Sequence, residues 1–418
     1  LLASRRQAHL QALDSFAVFS GVPREPGSEN IWIMNGLRIF QEPALIHLTG
    51  INQPKVILAL NPLARAGAKA GSNGRSGKGD GREILFISEK DPSKEFWDGI
   101  RFGYPKNDTP EALKDLEELR ALTGIHDIRP IHAFDDWFME LVKKHPKAHG
   151  YTLFHSYKPA PDDHKRRGKV LETRTDHNWA FKERLEKLAR KSGRSGFEIR
   201  TWVDRHFDLR LPLEKSQVKD AEIAIAYTGE AFKETLASLG SFKDENELAA
   251  HLEGRMKARS PFGLSFPSIV AGGRNATVLH YLKNDEPLDR NALVLLDFGV
   301  RYGTMHADIT RTVPVNGRYN PLQALLYQIV LDAEKLNIRN ARPGETIRNL
   351  NRMVWQYLED ELQKRFFSKG GKAVRAYTGQ PHGVSHLMGE QEHDGDPHRV
   401  YQDQPLREGW QISNEPGL

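Results

Sequence analysis

Apolar residues along this chain fall into short runs and helical stripes, not long blocks. Val56-Ile57-Leu58-Ala59-Leu60, bounded by Pro54 and Pro62, reads as a buried strand, and Ile84-Leu85-Phe86-Ile87 resumes the same sheet. The first ~60 residues begin with a helix-like stretch and pass into a strand pattern. Short strands then alternate with helical stretches to about residue 160, which is the pattern of an α/β domain. Residues 160–212 are highly charged, with helical periodicity and few strand signals, so the pattern changes near Leu211-Pro212. Two domains are expected, over residues 1–205 and 206–418.

The second half is more clearly punctuated. Asp244, with Glu247 three residues on, reads as a capping box ahead of a stripe of Leu248, Leu252 and Met256. Asn320-Pro321 is a helix cap followed by proline at the first helical position, with Leu325, Leu326, Ile329 and Val330 turned inward. Thr346 opens another helix, with Ile347, Leu350, Val354 and Leu358 on one face. Strand-like segments follow each helix pair: Thr277–Tyr281, Leu293–Phe298 and Ile309–Val315 after the first, Gly383–Met388 and Gln411–Glu415 after the second. The order of two helices followed by strands therefore occurs twice, without a residue-level repeat.

Composition narrows the classes. An apolar content of 39% over 418 residues suits a globular protein with a sizeable core. No apolar run approaches the roughly 20 residues that span a bilayer, so no membrane partner is expected. The absence of cysteine excludes disulfides, thiolate zinc sites and a cysteine nucleophile, and fits a cytoplasmic location. The sequence starts Leu1-Leu2-Ala3-Ser4-Arg5-Arg6, without an initiator Met and without the apolar stretch of a signal peptide, so removal of something upstream is left open. A net charge of +5 is mild, and the basic run His164-Lys165-Arg166-Arg167 lacks interleaved aromatics, so it reads as a solvated face and no nucleic acid is expected as a partner. The stretch from Ala66 to Gly81 resembles a phosphate loop superficially, but Ser72 and Gly79 break that pattern, and it reads as a surface loop.

Candidate chemistry gathers in four places. Leu293-Val294-Leu295-Leu296 leads into Asp297, turns through Arg301-Tyr302-Gly303 and returns as His306-Ala307-Asp308-Ile309-Thr310-Arg311-Thr312. In a symmetric, unbulged hairpin, Asp297 and Asp308 face each other about 4.5–5.5 Å apart. Two buried carboxylates so placed need a shared proton or a cation, although a pair of Asp could equally be surface groups or partners of Arg301 and Arg311. His382-Gly383-Val384-Ser385-His386 puts two imidazoles on one side of a strand or a helix, with His393-Asp394 close behind. Glu415-Pro416-Gly417 closes a strand-like run, and His280 stands in the segment from Phe266 to Tyr281, where a core histidine is the plain alternative. Together these donors are mostly oxygen, which suits Mn, Co or Mg better than a structural zinc site.

These motifs resemble the aminopeptidase P and prolidase family, which has the pita-bread fold. The resemblance rests on Ser268 to Gly272 through His280-Tyr281, Leu296 to Gly299, Asp308 to Gly317, His382 to His386, His393-Asp394 and Glu415 to Gly417, in family order over roughly residues 205–418. Leu48 to Pro54 carries a fainter likeness to the family's N-terminal domain. The resemblance implies an N-terminal α/β domain followed by a pita-bread (α+β) catalytic domain. It implies Asp297, Asp308, His386 and Glu415 as ligands of two divalent metal ions, most often Mn²⁺, with Co²⁺ or Zn²⁺ as alternatives. It also implies His280, His382 and His393 as the histidines that meet the substrate, with Glu415 as proton shuttle for a metal-bridged hydroxide. The implied substrate is a peptide with proline second, cut ahead of that proline. Ser385 resembles aminopeptidase P more than prolidase. Prolidase action on dipeptides, or a non-catalytic peptide-binding module, are the alternative readings. The family's fifth ligand, a Glu on a later strand, has no counterpart before Leu418, and the expectation is a fragment and not a lost ligand. A homo-oligomer, dimer or tetramer, is also implied.

Overall fold

The computed structural model describes residues 1–21, 41–64, 80–98, 101–107, 109–154, 177–366, 382–395 and 400–418. The glycine-rich stretch from Ala66 (apart from Asp80 and Gly81) and the basic run at His164–Arg167 lie outside them. The chain divides into two units, Leu1–Leu209 and Arg210–Leu418.

In the first unit the strands are β1 (Phe16–Ser20), β2 (Val56–Leu60), β3 (Glu83–Ile87), β4 (Asp127–Pro130), β5 (Gly150–Thr152) and β6 (Ile199–Thr201). They form one sheet in the order β4-β3-β2-β1-β5-β6. β1, β2 and β3 pair antiparallel, while β4, β5 and β6 join in parallel. Successive side chains of a strand point to opposite faces. Accordingly Phe16 and Val18 enter one apolar core and Ala17 and Phe19 another. Helices α1 (Leu2–Ala12), α2 (Pro43–Thr49), α3 (Pro92–Asp98), α4 (Pro110–Thr123), α5 (Phe134–Lys144), α6 (His177–Lys191) and α7 (Val203–Arg210) accompany the sheet. Leu10, Leu45, Leu48, Leu116 and Leu119 cover the Phe19 face, and Phe134, Phe138, Leu141 and Leu185 cover the Phe16 face. A sheet covered on both sides explains why Val56–Leu60 is continuously apolar instead of alternating.

The second unit begins with α8 (Lys215–Ala237) and α9 (Glu245–Arg259). Asp244 caps α9 by accepting from the Glu247 amide at 2.8 Å. Leu248, Leu252 and Met256 are fully buried against Val294, Leu296 and Phe298. Each such side chain contributes about 1.5–3 kcal/mol by leaving water. The strands are β7 (Ile269–Gly272), β8 (Leu293–Phe298), β9 (Arg301–Tyr302), β10 (Met305–His306), β11 (Ile309–Pro314), β12 (Leu387–Met388) and β13 (Gln411–Ile412). β8 lies between β11 and β7 in a three-stranded sheet. Helices α10 (Pro321–Asn340) and α11 (Ile347–Phe366) follow, α10 opened by a reciprocal capping box of Asn320 and Gln323. Ile329, Val354, Trp355 and Leu358 pack around Val384. Among the described residues, no helix is long and apolar enough to cross a membrane.

Three expectations change. Thr277–Tyr281 is not a strand: Gly273–Thr277 forms a 3₁₀ turn, because the Gly272 amide, the Asn275 amide group and the Tyr281 hydroxyl all donate to the buried carboxylate of Glu245. Of Gly383–Met388 only Leu387–Met388 is a strand, since the Val384 amide is taken by the Asn351 side chain. Of Gln411–Glu415 only Gln411–Ile412 is regular, though the Ser413 and Glu415 amides still reach the His386 and Val384 carbonyls at 2.9 and 3.0 Å.

Candidate metal centre

The hairpin delivers its two carboxylates in a register different from the symmetric one. β8 and β11 pair Asp297 with Thr310 and Phe298 with Ile309, and β9 and β10 pair Tyr302 with Met305. The turn is therefore Gly303-Thr304, with Gly303 at φ 58°, a value that favours glycine. Asp308 stands two residues from Thr310, on the same face as Asp297 but diagonal to it instead of opposite. Gly299 makes this possible: a Cβ there would lie 1.9 Å from the Ala307 carbonyl oxygen.

Asp297 sits in a polar but largely enclosed position. The Thr310 hydroxyl serves its carboxylate, while Oδ1 is buried without a hydrogen-bond partner. Burial, then the charge of Asp308, pushes its carboxyl up to about 7. A buried carboxylate oxygen with no donor, beside other carboxylates, has the chemistry of a cation ligand.

His386 is the hub. It is buried, and its Nδ1–H donates to the Leu387 carbonyl at 2.9 Å. A carbonyl only accepts, so this bond fixes the tautomer and leaves Nε2 for the site. Nε2 lies 3.1 Å from Glu415 Oε1 and 3.6 Å from Asp308 Oδ2. Burial works against its charge, but the bonds to Asp308 and Glu415 outweigh it and hold the imidazole up to about 10. Burial likewise raises Glu415, yet His386 and the Ser413 hydroxyl (2.7 Å) bring it below the usual carboxylate range. A proton on His386 thus occupies the role that a metal cation would take among these oxygens.

The remaining candidates fall around this hub. His393 stacks on His386 with ring centroids 3.9 Å apart and planes 12° apart. His382 donates Nε2–H to the Glu415 main-chain carbonyl at 2.9 Å and keeps Nδ1 buried without a partner. His280 is exposed just beyond the 3₁₀ turn, and among the described residues no hydrogen bond or ion pair joins it to Asp297, Asp308, His386 or Glu415. Glu392 was missed by sequence reasoning. Burial and the charges of Asp308 and Glu415 push it up to about 7, opposed by His386. Its only signal in the sequence is its place beside His393 in Glu390-Gln391-Glu392-His393.

Among the described residues, no group of three or more His, Asp or Glu side chains already stands arranged to hold a metal ion. The donor set itself, an unpartnered Asp297 oxygen and an imidazole protonated between two carboxylates, fits a divalent ion.

Comparison with known proteins agrees in class. Residues 219–418 match metallopeptidase family M24, and residues 2–149 match the N-terminal domain of aminopeptidase P. Over residues 219–418 the chain is similar to the metallopeptidases of family M24, and its fold is the pita-bread fold. With that N-terminal domain ahead of it, the layout is that of aminopeptidase P. Xaa-Pro aminopeptidase 3 of Mus musculus is 29% identical over 383 residues, covering 90% of this chain and 67% of that protein. Xaa-Pro aminopeptidase of Haemophilus influenzae is 27% identical over 389 residues, covering 90% and 77%. The fold matches that of aminopeptidase P from E. coli with a TM-score of 0.76 at 21% identity, over 99% of this chain and 86% of that one.

Proposed function

We propose that this protein is a metal-dependent aminopeptidase that hydrolyses the bond between an N-terminal residue and a following proline. The observation that carries the proposal is the imidazole of His386 set between the carboxylates of Asp308 (3.6 Å) and Glu415 (3.1 Å), beside the unpartnered oxygen of Asp297. The names of the relatives support the proline-directed substrate. Residues 206–418 serve as the catalytic domain and residues 1–205 as the aminopeptidase P-type N-terminal domain.

Asp297, Asp308, His386 and Glu415 would hold two divalent ions, Mn²⁺ by preference because three of these four donors are carboxylates, with Co²⁺ or Zn²⁺ as substitutes. When bound, the ions supply Lewis acidity to the scissile carbonyl and acidify the attacking water. Glu415 accepts the proton of that water and delivers it to the proline nitrogen as the bond breaks. Like any amide nitrogen it leaves as an amine only once protonated, so the delivered proton is what makes it a competent leaving group. His280 or His393 donates to the carbonyl oxygen as it gains charge. His382 offers its unpartnered Nδ1 to the substrate. Self-association as a dimer or tetramer belongs to the same reading.

The test is incubation with Mn²⁺ and either a Xaa-Pro-Xaa tripeptide or a Xaa-Pro dipeptide, with a chelator control. Chelator-sensitive release of the first residue from the tripeptide is expected. Cleavage of the dipeptide alone would make the protein a prolidase, and cleavage of neither, with no Mn²⁺ bound, would mean an incomplete metal site or a binding module.

A further inference from the structure

Near the metal centre lies a buried ionic network that the proposed reaction does not use. Arg210, Asp394, Glu390 and Gln217 are 3%, 3%, 7% and 3% exposed. Both terminal nitrogens of Arg210 donate to the Asp394 carboxylate, Nη1 to Oδ2 at 2.8 Å and Nη2 to Oδ1. Such two-pronged pairing fixes orientation as well as distance. The same carboxylate accepts from the Glu390 amide at 3.1 Å and the Gly395 amide at 2.7 Å. Asp394 therefore ties both ends of the turn 389–395 to one side chain. The Asp394 amide closes the turn on the Leu387 carbonyl at 2.8 Å, and Gln217 on α8 donates to Glu390 at 2.8 Å. The backbone conforms to this tie: Gly395 has φ 89°, and a Cβ on Gly389 would lie 2.6 Å from Asp394 Oδ2.

The turn carries two groups of the site. Glu392 shares the field of Asp308, His386 and Glu415. His393, next to Asp394, lies flat against the His386 ring. An unbroken path of contacts thus runs from Arg210 through Asp394 and His393 to His386, and from His386 to Asp308 and Glu415. A solvated turn would not need an arginine taken wholly out of water. A buried ion pair of this sort is weak as a source of stability, because desolvating both charges offsets most of their attraction. What it does supply is a fixed geometry.

We propose that Arg210 is a positioning residue of the metal centre, acting through Asp394 to hold the 389–395 turn so that His393 meets the reacting carbonyl. The inference rests on the proposed peptidase reaction for its kinetic consequence, but its structural half stands apart from it. Arg210→Lys keeps the charge and loses the second prong. The double variant Arg210→Met with Asp394→Asn removes both charges, keeps volume and leaves a side-chain oxygen at position 394 to accept from the turn's amides, so the midpoint should not fall by the cost of a broken buried pair.

The experiment measures three things on the full chain: kcat and KM for a Xaa-Pro-Xaa tripeptide with Mn²⁺, amide exchange of residues 389–395 in metal-free protein, and the thermal midpoint. For Arg210→Lys, kcat should fall by ~100-fold, the typical penalty of an ~1 Å misplacement, with KM within about twofold. Exchange at Glu390 and Gly395 should speed up, while β8 and β11 stay protected. The double variant should recover the wild-type midpoint yet keep the low kcat. Recovery of kcat together with the midpoint would overturn the proposal and make the pair a simple strut. Unchanged kcat and unchanged exchange in Arg210→Lys would overturn it too. If wild type cleaves no Xaa-Pro peptide, the peptidase reading fails, and exchange alone still decides whether Arg210 holds the turn.

Discussion

Replacing Asp297 by Asn separates stability from function at this site. In metal-free protein the Asp297 carboxyl stands at about 7 against 3.8 for an unperturbed group, burial being the first cause and Asp308 the second. The folded state therefore holds a proton that the unfolded chain has released between about pH 4 and pH 7. A group raised on folding contributes stability that is complete below its unfolded pKa and lost as pH rises through its folded pKa. Moving from 3.8 to about 7 corresponds to ~4 kcal/mol at about 1.36 kcal/mol per unit, shared with the carboxylates that titrate alongside. Asn keeps the shape and carries no charge. With chelator present at pH 8, Asp297→Asn should be more stable than wild type by a few kcal/mol, and the two should converge as pH approaches 4. Mn²⁺ at about 100 times its Kd should stabilise wild type by ~2.7 kcal/mol and the variant by far less. Urea unfolding followed by circular dichroism, with chelator and with Mn²⁺ from pH 5 to 8, measures both. A variant less stable than metal-free wild type at pH 8, or one that gains equally from Mn²⁺, would refute the reasoning.

Gly299→Ala should cost ~1–3 kcal/mol and abolish Mn²⁺ binding, because its Cβ would force the Ala307 carbonyl and with it Asp308 out of place; titration calorimetry reads the affinity and thermal melting the stability. His9 is lowered to about 4 by burial, aided by His47 and Arg205 and opposed by the Arg5 carbonyl. It should contribute ~3 kcal/mol that is present above pH 6.5 and lost as pH falls through about 4; urea midpoints of wild type and His9→Gln at pH 7.5 and 4.5 check this, and parallel losses in both would argue against it. Asn320→Ala should lower stability by ~1 kcal/mol through loss of the α10 cap, with chelator-sensitive turnover retained.

The residues proposed as donors could be named from the sequence, but their arrangement in the fold could not. β8 and β11 could be read from apolar runs flanking a Gly turn, since a buried strand and a hairpin have local signatures. Their register could not, because it depends on a backbone contact between Gly299 and Ala307 that leaves no side-chain pattern. The supposed strand at Thr277–Tyr281 failed for a similar reason: Glu245 reaches across from α9 and draws the segment off the sheet. Glu392 and the Arg210–Asp394 pair went unseen because charge run and cap look alike in one dimension, and the two partners of the pair are 184 residues apart.

Three of the four proposed donors, Asp308, His386 and Glu415, stand just outside regular ladders, whereas Asp297 lies within β8. Asp308 follows a two-residue strand, and His386 and Glu415 flank a two-stranded ladder of two residues each. Long ladders would fix these carboxylates at set distances from one another and so fix their repulsion into the fold. Short ones leave the backbone free to shift, and pairwise hydrogen bonds such as Ser413 to Glu415 and His386 to Leu387 hold each group individually. The rigidity then comes from outside the donors: Glu245 holds the segment bearing His280, and Asp394 holds the turn bearing His393. Each is a buried carboxylate satisfied by several donors, a form in which negative charge near the site is already compensated. Of the proposed ligands, Asp308 and Glu415 lean on His386, while Asp297 keeps a buried oxygen without a partner. That bare oxygen is why removing charge at Asp297 should strengthen the metal-free protein while weakening its metal affinity.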